Sequence, residues 1–449
     1  METVKYMIVA KHRVLIVGLG LTGLSCARYL SAHGIEVAVT DSRENPPGLE
    51  VLRTELPDVA VFTGGFDEQV FASADELIVS PGVSLKNPLI QQAITAGKKV
   101  LGDVELFAQQ VKAPVIVVTG SNGKSTVTSL LGVMARESGL DVQVGGNIGK
   151  PVLDLLSEQE PDCYILELSS FQLEYTQSLN AQVATVLNIS EDHMDRYDSI
   201  NDYIAAKQRA FRGSGVLVLN RDDPQVMNLA EPVRKIITFG LDEPERNDYG
   251  IRRSNGEVLL CRGEAVLLGS DELLIPGLHN VANALAALAM GEAAGFAQSA
   301  MLRALRGFKG LEHRSQFVTE RKGVRWYNDS KATNVGATVA ALTGLEGPVV
   351  LIAGGEGKGA DFTELKLPVK QKARAVILIG CDADKIAEVL QGTVQIEHAS
   401  DMQQAVSLAN DIAESGDSVL LSPACASFDM FRNFEHRGEV FMNCVRSLQ

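Results

Sequence analysis

Residues 115–126 read Val-Ile-Val-Val-Thr-Gly-Ser-Asn-Gly-Lys-Ser-Thr, an apolar run that passes straight into two glycines, a lysine and paired hydroxyls. The apolar run reads as a buried strand, and the glycines end it in a loop whose N–H groups can approach phosphate oxygens. Gly120, Ser121, Asn122 and Gly123 make that loop, Lys124 brings a mobile positive charge, and Ser125 or Thr126 can hold a magnesium ion. A helix must follow. Val127, Leu130, Leu131 and Met134 recur at helical spacing, Gly139 is placed to end it, and its N-terminus turns positive charge toward an anion. Position 118 is valine where the usual GxxxxGK[ST] pattern has glycine. The stretch predicts a nucleoside-triphosphate site, with ATP as the first expectation, on an α/β scaffold.

Upstream, Gly18-Leu19-Gly20-Leu21-Thr22-Gly23 follows the strand-like Val14–Val17. A helical stretch, a second strand over about 35–40 and then Asp41 complete a βαβ fingerprint, with the acid placed to accept a bond from a ribose hydroxyl. Standing alone, this motif favours NAD. Beside a phosphate loop in the same chain, another nucleotide diphosphate, such as a uridine one, uses the same physics.

The 449 residues exceed one core and suggest about three domains. A net charge of -15 argues against nucleic acid as the main partner, since phosphate backbones are held by clustered Lys and Arg. The opening METVKYMIVAKHR is too short and too charged for a signal peptide or an anchor, and the Ala-rich run 281–297 carries Asn283 and Glu292 like a buried amphipathic helix. Six scattered cysteines without metal-like spacing fit reduced thiols in a cytoplasmic protein. Strands alternate with helices throughout. Fresh starts divide the chain into 1–102, 103–310 and 311–449, with new strands in the last part expected at 348–353, 375–380 and 418–422.

Further chemistry sits at strand ends. Glu167 closes Tyr-Ile-Leu-Glu and can hold magnesium or serve as a helix cap. Asn188–Asp195 includes His193, a plausible ligand for a hard cation; no second histidine stands at zinc spacing. Lys207 reads as an ordinary surface lysine on a helix. Asn280 and Asn283 share a helix face and can read a purine edge, although capping is the commoner use. In Trp326–Asn334, Asp329 and Lys331 share a face if the strand continues. The loop 354–359 offers Lys358 to an anion but lacks the Ser/Thr of a second phosphate loop. Cys425, within Ser422–Asp429, reads as packing rather than as a nucleophile. The loops after three strands suggest one rim.

Thr119–Thr126, the Glu167 segment, Asp192-His193, His279-Asn280, His313-Arg314, Asp329–Asn334 and Ser422–Asp429 together resemble the ATP-dependent Mur ligases of bacterial cell-wall synthesis, in order and over essentially the whole chain. The threonine-glycine start of the loop, and hence Val118, is usual there. The GLGLTG, ELSSFQLE and SPACASFDMFRNFEHRG stretches are similar to the branch of that family that joins D-glutamate to UDP-N-acetylmuramoyl-L-alanine. The uridine-type opening separates it from folylpolyglutamate synthases.

The resemblance implies a Rossmann-like N-terminal domain for the UDP substrate, a P-loop ATPase central domain, and a Rossmann-like C-terminal domain for the incoming amino acid. Leu21, Thr22, Asp41, Ser42, Arg43 and Ser80 would contact the uridine diphosphate, with Asn147 and His193 along the muramoyl-alanine arm. Lys124 would hold phosphate. Ser125, Glu167 and His193 would serve two magnesium ions, and Lys207, carbamylated by CO2, would support the second. Asn280 and Asn283 would take adenine, with Arg314, Asp329 and Lys331 completing the nucleotide site. Thr333, Lys358, Ser427 and Phe434 would receive D-glutamate. A cytoplasmic monomer is expected.

Overall fold

The computed structural model describes residues 12–448 apart from 231, 232, 255, 276 and 346, so the opening segment 1–11 lies outside the described residues. The chain forms two compact units. One comprises the chain up to Thr119 with Leu140–Ala184 and Ala205–Gly215; the other comprises Gly120–Gly139, Thr185–Ile204 and the chain from Val216 onward.

The first unit opens with a five-stranded parallel sheet in the order Ala60–Thr63, Glu36–Asp41, Arg13–Val17, Glu76–Val79, Lys99–Leu101. The strand order reverses at Arg13–Val17, and such a reversal opens a crevice beyond the carboxyl ends of the strands. Gly18 and Ser80 stand there, the Ser80 hydroxyl donating to the Gly18 carbonyl at 2.9 Å. Asp41 is the last residue of its strand. The same unit holds the parallel strands Val115–Thr119, Cys163–Glu167 and Val142–Gly146, with Glu167 in register with Val118 and Gly146. Cys163–Glu167 is buried at every position, as a strand covered on both faces must be.

Asp103, at the start of the helix Asp103–Ala108, is 1% exposed, and its Oδ1 has no hydrogen-bond partner among the described residues. Burial pushes its pKa up to about 6, against donors that include the Val104 N–H and Gln172. The folded protein therefore holds this proton more tightly than the unfolded chain does. The associated stability is present in acid and is lost as pH rises from about 4 through about 6, by about 3 kcal/mol. Asp103→Asn is expected to remove that loss, so that urea melts at pH 7.5 show the variant more stable than wild type by about 1–3 kcal/mol, with near equality at pH 4.

In the second unit the helix Lys124–Glu137 buries Val127, Leu130, Leu131 and Met134 completely, and Gly139 follows its end at φ 83°. The helix Leu278–Ala293 is likewise largely buried. Among the described residues no helix is long and apolar enough to cross a membrane. A six-stranded sheet runs Gln316–Arg321, Val324–Asn328, Ser418–Leu421, Val349–Gly354, Ala373–Ile379, Gln395–His398, antiparallel only at its first pair. Alternate side chains feed two cores: Val349, Leu351 and Ala353 on one face, Val350 and Ile352 on the other. Asn328, Leu421 and Ile352 are in register, so the three loops that follow leave the sheet at one edge.

Candidate functional site

In the second unit the phosphate loop shapes a cavity of about 310 Å³ lined by Asn122, Gly123, Thr126, Asn280, Asn283, Arg314 and Asp329. Gly123 sits at φ 82°, and a Cβ there would meet the Asn283 amide oxygen at 2.4 Å, so only glycine lets Asn283 approach the loop this closely. The first turn after Gly123 has no side-chain cap, which leaves its N–H groups for an anion. Lys124 Nζ donates to the Gly120 and Ser121 carbonyls at 2.9 Å each. Arg314 reaches the Ser125 hydroxyl at 2.8 Å, placing a second cation at the loop. A basic, glycine-built helix start of this kind fits the polyphosphate of ATP.

Asn280 and Asn283 are joined at 3.2 Å, and the helix they occupy is capped by Gly277 without any side-chain bond. The cap expected from helix statistics is therefore absent, because both amides turn into the cavity instead. Asp329 accepts from Ser422 Oγ at 2.8 Å and from Ser315 N at 3.0 Å. Burial raises its carboxyl to about 6. The strand ends at Asn328, so Asp329 and Lys331 do not share a face. Asp329 turns to the cavity, whereas Lys331 lies 3.6 Å over the Phe434 ring.

A second cavity of this unit, about 180 Å³, brings Asp192 and His193 together with Thr333 and Lys358. His193 and Lys358 both adopt positive φ, 60° and 52°, at tight bends that aim the loops. Ser427 and Phe434 do not line it: Ser427 is buried, its carbonyl accepting from Phe431 N at 2.8 Å, and Phe434 packs with Lys331 and His313. Cys425 is buried and its thiol is pushed up to about 12 by burial, in keeping with a packing role.

The first unit contains a third cavity, about 460 Å³, lined by Leu21, Thr22, Asp41, Ser42, Arg43, Ser80 and Asn147. Asp41 is not a free ribose acceptor. Its carboxylate takes Leu19 N at 2.7 Å, Arg43 N at 2.9 Å, and the Arg43 guanidinium at 2.9 and 2.6 Å. Burial alone would raise its pKa, but these donors outweigh burial and hold it below the ordinary value. The acid thus braces the turn and fixes Arg43 at the cavity. Leu21 is 76% exposed, an apolar side chain that a flat base can cover.

Glu167 is no helix cap, since Ser169 caps the helix Ser170–Glu174. Its Oε1 accepts from Asn147 at 2.8 Å, and among the described residues its buried Oε2 has no hydrogen-bond partner, so the carboxylate could hold a cation. Lys207 departs most from expectation: it is 1% exposed, not a surface lysine. Glu167 and Lys207 belong to the first unit, Ser125 and His193 to the second. Among the described residues no three His, Cys, Asp or Glu side chains cluster as a ready metal site.

Two residues escaped the sequence reading. Arg437, fully buried, donates to the carbonyls of Cys425, Ala426 and Ser330 and to Ser330 Oγ, joining two of the rim loops. Burial lowers its pKa to about 10, so it remains a cation at neutral pH. Asn188 brackets the loop by accepting from Asn122 N at 2.8 Å and donating to Asn122 O at 3.1 Å. Neither carries a spacing signal, because both act through backbone brought close only by folding.

Family models match along the chain: the N-terminal domain of Mur ligase MurD-like proteins over 12–102, the Mur ligase middle domain over 118–291, and the Mur ligase glutamate ligase domain over 313–425. The UDP-N-acetylmuramoylalanine–D-glutamate ligase of Nitrosococcus oceani is 54% identical over 435 residues, covering 96% of each chain. The enzyme of the same name from Pseudomonas putida is 52% identical over 438 residues, covering 97% of each. The solved UDP-N-acetylmuramate-alanine ligase of Thermotoga maritima is 19% identical with a TM-score of 0.61, covering 97% of this chain and 99% of that one, a likeness of fold. With three family domains in sequence and relatives above half identity along nearly its full length, the chain belongs to the Mur ligase family.

Proposed function

We propose that the chain is an ATP-dependent ligase that joins D-glutamate to UDP-N-acetylmuramoyl-L-alanine in peptidoglycan precursor synthesis. The observation that carries this reading is the full-length identity to relatives named for that reaction, on a chain whose phosphate loop, Arg314 and Asp329 share one nucleotide-sized cavity. The functional domains are read as 1–102 for the UDP substrate, 103–310 for ATP, and 311–449 for the amino acid and completion of the nucleotide site. The enzyme acts as a cytoplasmic monomer.

An amine does not displace oxide from a carboxylate. The substrate carboxylate therefore attacks the γ-phosphorus of ATP, ADP leaves, and an acyl phosphate forms. The D-glutamate amine then adds to the acyl carbon, and the tetrahedral intermediate collapses with loss of phosphate. Lys124 and Arg314 neutralise the charge that crowds as carboxylate and polyphosphate meet. Asn280 and Asn283 receive the adenine, and Arg314, Asp329 and Lys331 complete the nucleotide site. The cavity of Leu21, Thr22, Asp41, Ser42, Arg43 and Ser80 takes the uridine diphosphate, and Asn147 and His193 are assigned to the muramoyl arm. Two magnesium ions, held through Ser125, Glu167, His193 and carbamylated Lys207, would supply further positive charge.

Phosphate release should require all three of ATP, UDP-N-acetylmuramoyl-L-alanine and D-glutamate; equal turnover with another amino acid would move the chain to a sibling activity. D-Glutamate carries two carboxylates, and Thr333, Lys358, Ser427 and Phe434 are assigned to its pocket. Lys358→Ala is expected to raise the KM for D-glutamate about tenfold, from loss of a charged hydrogen bond, with little change in the KM for the UDP substrate. An unchanged D-glutamate KM removes Lys358 from the amino-acid site.

A further inference from the structure

Asn334 follows Thr333 and caps the helix Val335–Gly344, its Oδ1 accepting from Ala337 N at 2.9 Å. The same amide also faces the phosphate loop. Its Nδ2 donates to Asn122 Oδ1 at 3.2 Å, and Asn122 Nδ2 donates back to Asn334 Oδ1 at 3.3 Å. Another bond from Asn334 Nδ2 reaches Asp192 Oδ2 at 3.1 Å. A side-chain amide carries, on adjacent atoms, both the donor and the acceptor that this reciprocal pairing uses. Close packing reinforces it: a Cβ on Gly336 would stand 3.3 Å from Ser190 Oγ and 3.5 Å from Asn122 Nδ2. Three segments meet at one 8% exposed side chain: the phosphate loop, the loop of Asp192 and His193, and the stretch that bears Thr333.

We propose that Asn334 is a positioning residue that holds the amino-acid pocket in register with the phosphate loop, so that attack by the amine depends on it more than use of ATP does. The proposal rests on the ligase reading above. The pocket has residues 190–194 on one wall and 333–336 on another, and the Asn334 amide ties the two. A small shift between them takes the amine out of attack distance, whereas the loop keeps Lys124 and its helix N-terminus for ATP.

Asn334→Asp separates this role from capping. The aspartate keeps an acceptor for Ala337 N but cannot donate, and it sets a second carboxylate beside Asp192. Ligation kcat is expected to fall on the order of tenfold or more. Formation of ADP in a single turnover with ATP and UDP-N-acetylmuramoyl-L-alanine alone, which halts at the acyl phosphate, should stay within about threefold of wild type, and the melting temperature should hold. Loss of both activities in parallel, or ligation by Asn334→Asp within about threefold of wild type, overturns the proposal. A wild-type enzyme that releases no phosphate with all three substrates present rejects instead the ligase reading beneath it.

Discussion

Lys124→Ala is expected to lower ATP-dependent phosphate release on the order of a thousandfold while the protein stays folded. In the structure this lysine closes back on the Gly120 and Ser121 carbonyls, so its ammonium is held at the loop where a polyphosphate would lie. Alanine favours helices, and the side chain adds nothing to the apolar core of its helix, which is carried by Val127, Leu130, Leu131 and Met134. What alanine removes is positive charge at the loop proposed to receive the γ-phosphate. Phosphate release, read with a melting curve, checks it. Activity within a few-fold of wild type, at an unchanged melting temperature, would remove the loop from catalysis.

Lys207→Ala should be nearly as damaging, on the order of a hundredfold or more, and partly reversible. The side chain is almost completely buried, so truncation leaves a gap rather than a rearranged surface. The ammonium loses one proton to become an amine, which adds to CO2 and loses a second, so a cation becomes a carbamate anion at that place. A small free acid such as formate or acetate can enter the gap and restore part of the negative charge. Activity should therefore climb with added carboxylate in the variant and not in wild type, and the intact active enzyme should weigh one CO2 more than its sequence. An active Lys207→Ala, or an unmodified mass in fully active protein, defeats the carbamate.

The phosphate loop, its helix and the strand ends were legible because each depends on local spacing: an apolar run, a glycine, a helical stripe. Asp41 was read at its place on the strand end, but its bonds from Leu19 and Arg43 were not foreseen, since they depend on how a turn closes, which spacing does not reveal. Lys207 was misread on residue physics alone, because a polar helical stretch gives no hint that its lysine faces inward. Lys331 diverged from Asp329 because the strand stops at Asn328, short of both residues that alternation would have to place. Asn334 and Arg437 answer to groups more than a hundred residues away in the chain, and no local pattern encodes such partners.

The burial of Arg437 has a consequence for mutational surveys of this chain. Its guanidinium serves three carbonyls and a hydroxyl at once, in a space closed to water. Lysine is a compact point charge and cannot fan out to four acceptors, so even the most similar substitution strands several of them. A tolerance map scored by growth or turnover would show this position as intolerant as Lys124. Ranking residues by intolerance would then list Arg437 among the chemical groups, although nothing it touches is substrate. A second score of soluble protein for each variant separates the two kinds of essential residue: Lys124 variants accumulate and fail to turn over, whereas Arg437 variants fail to accumulate.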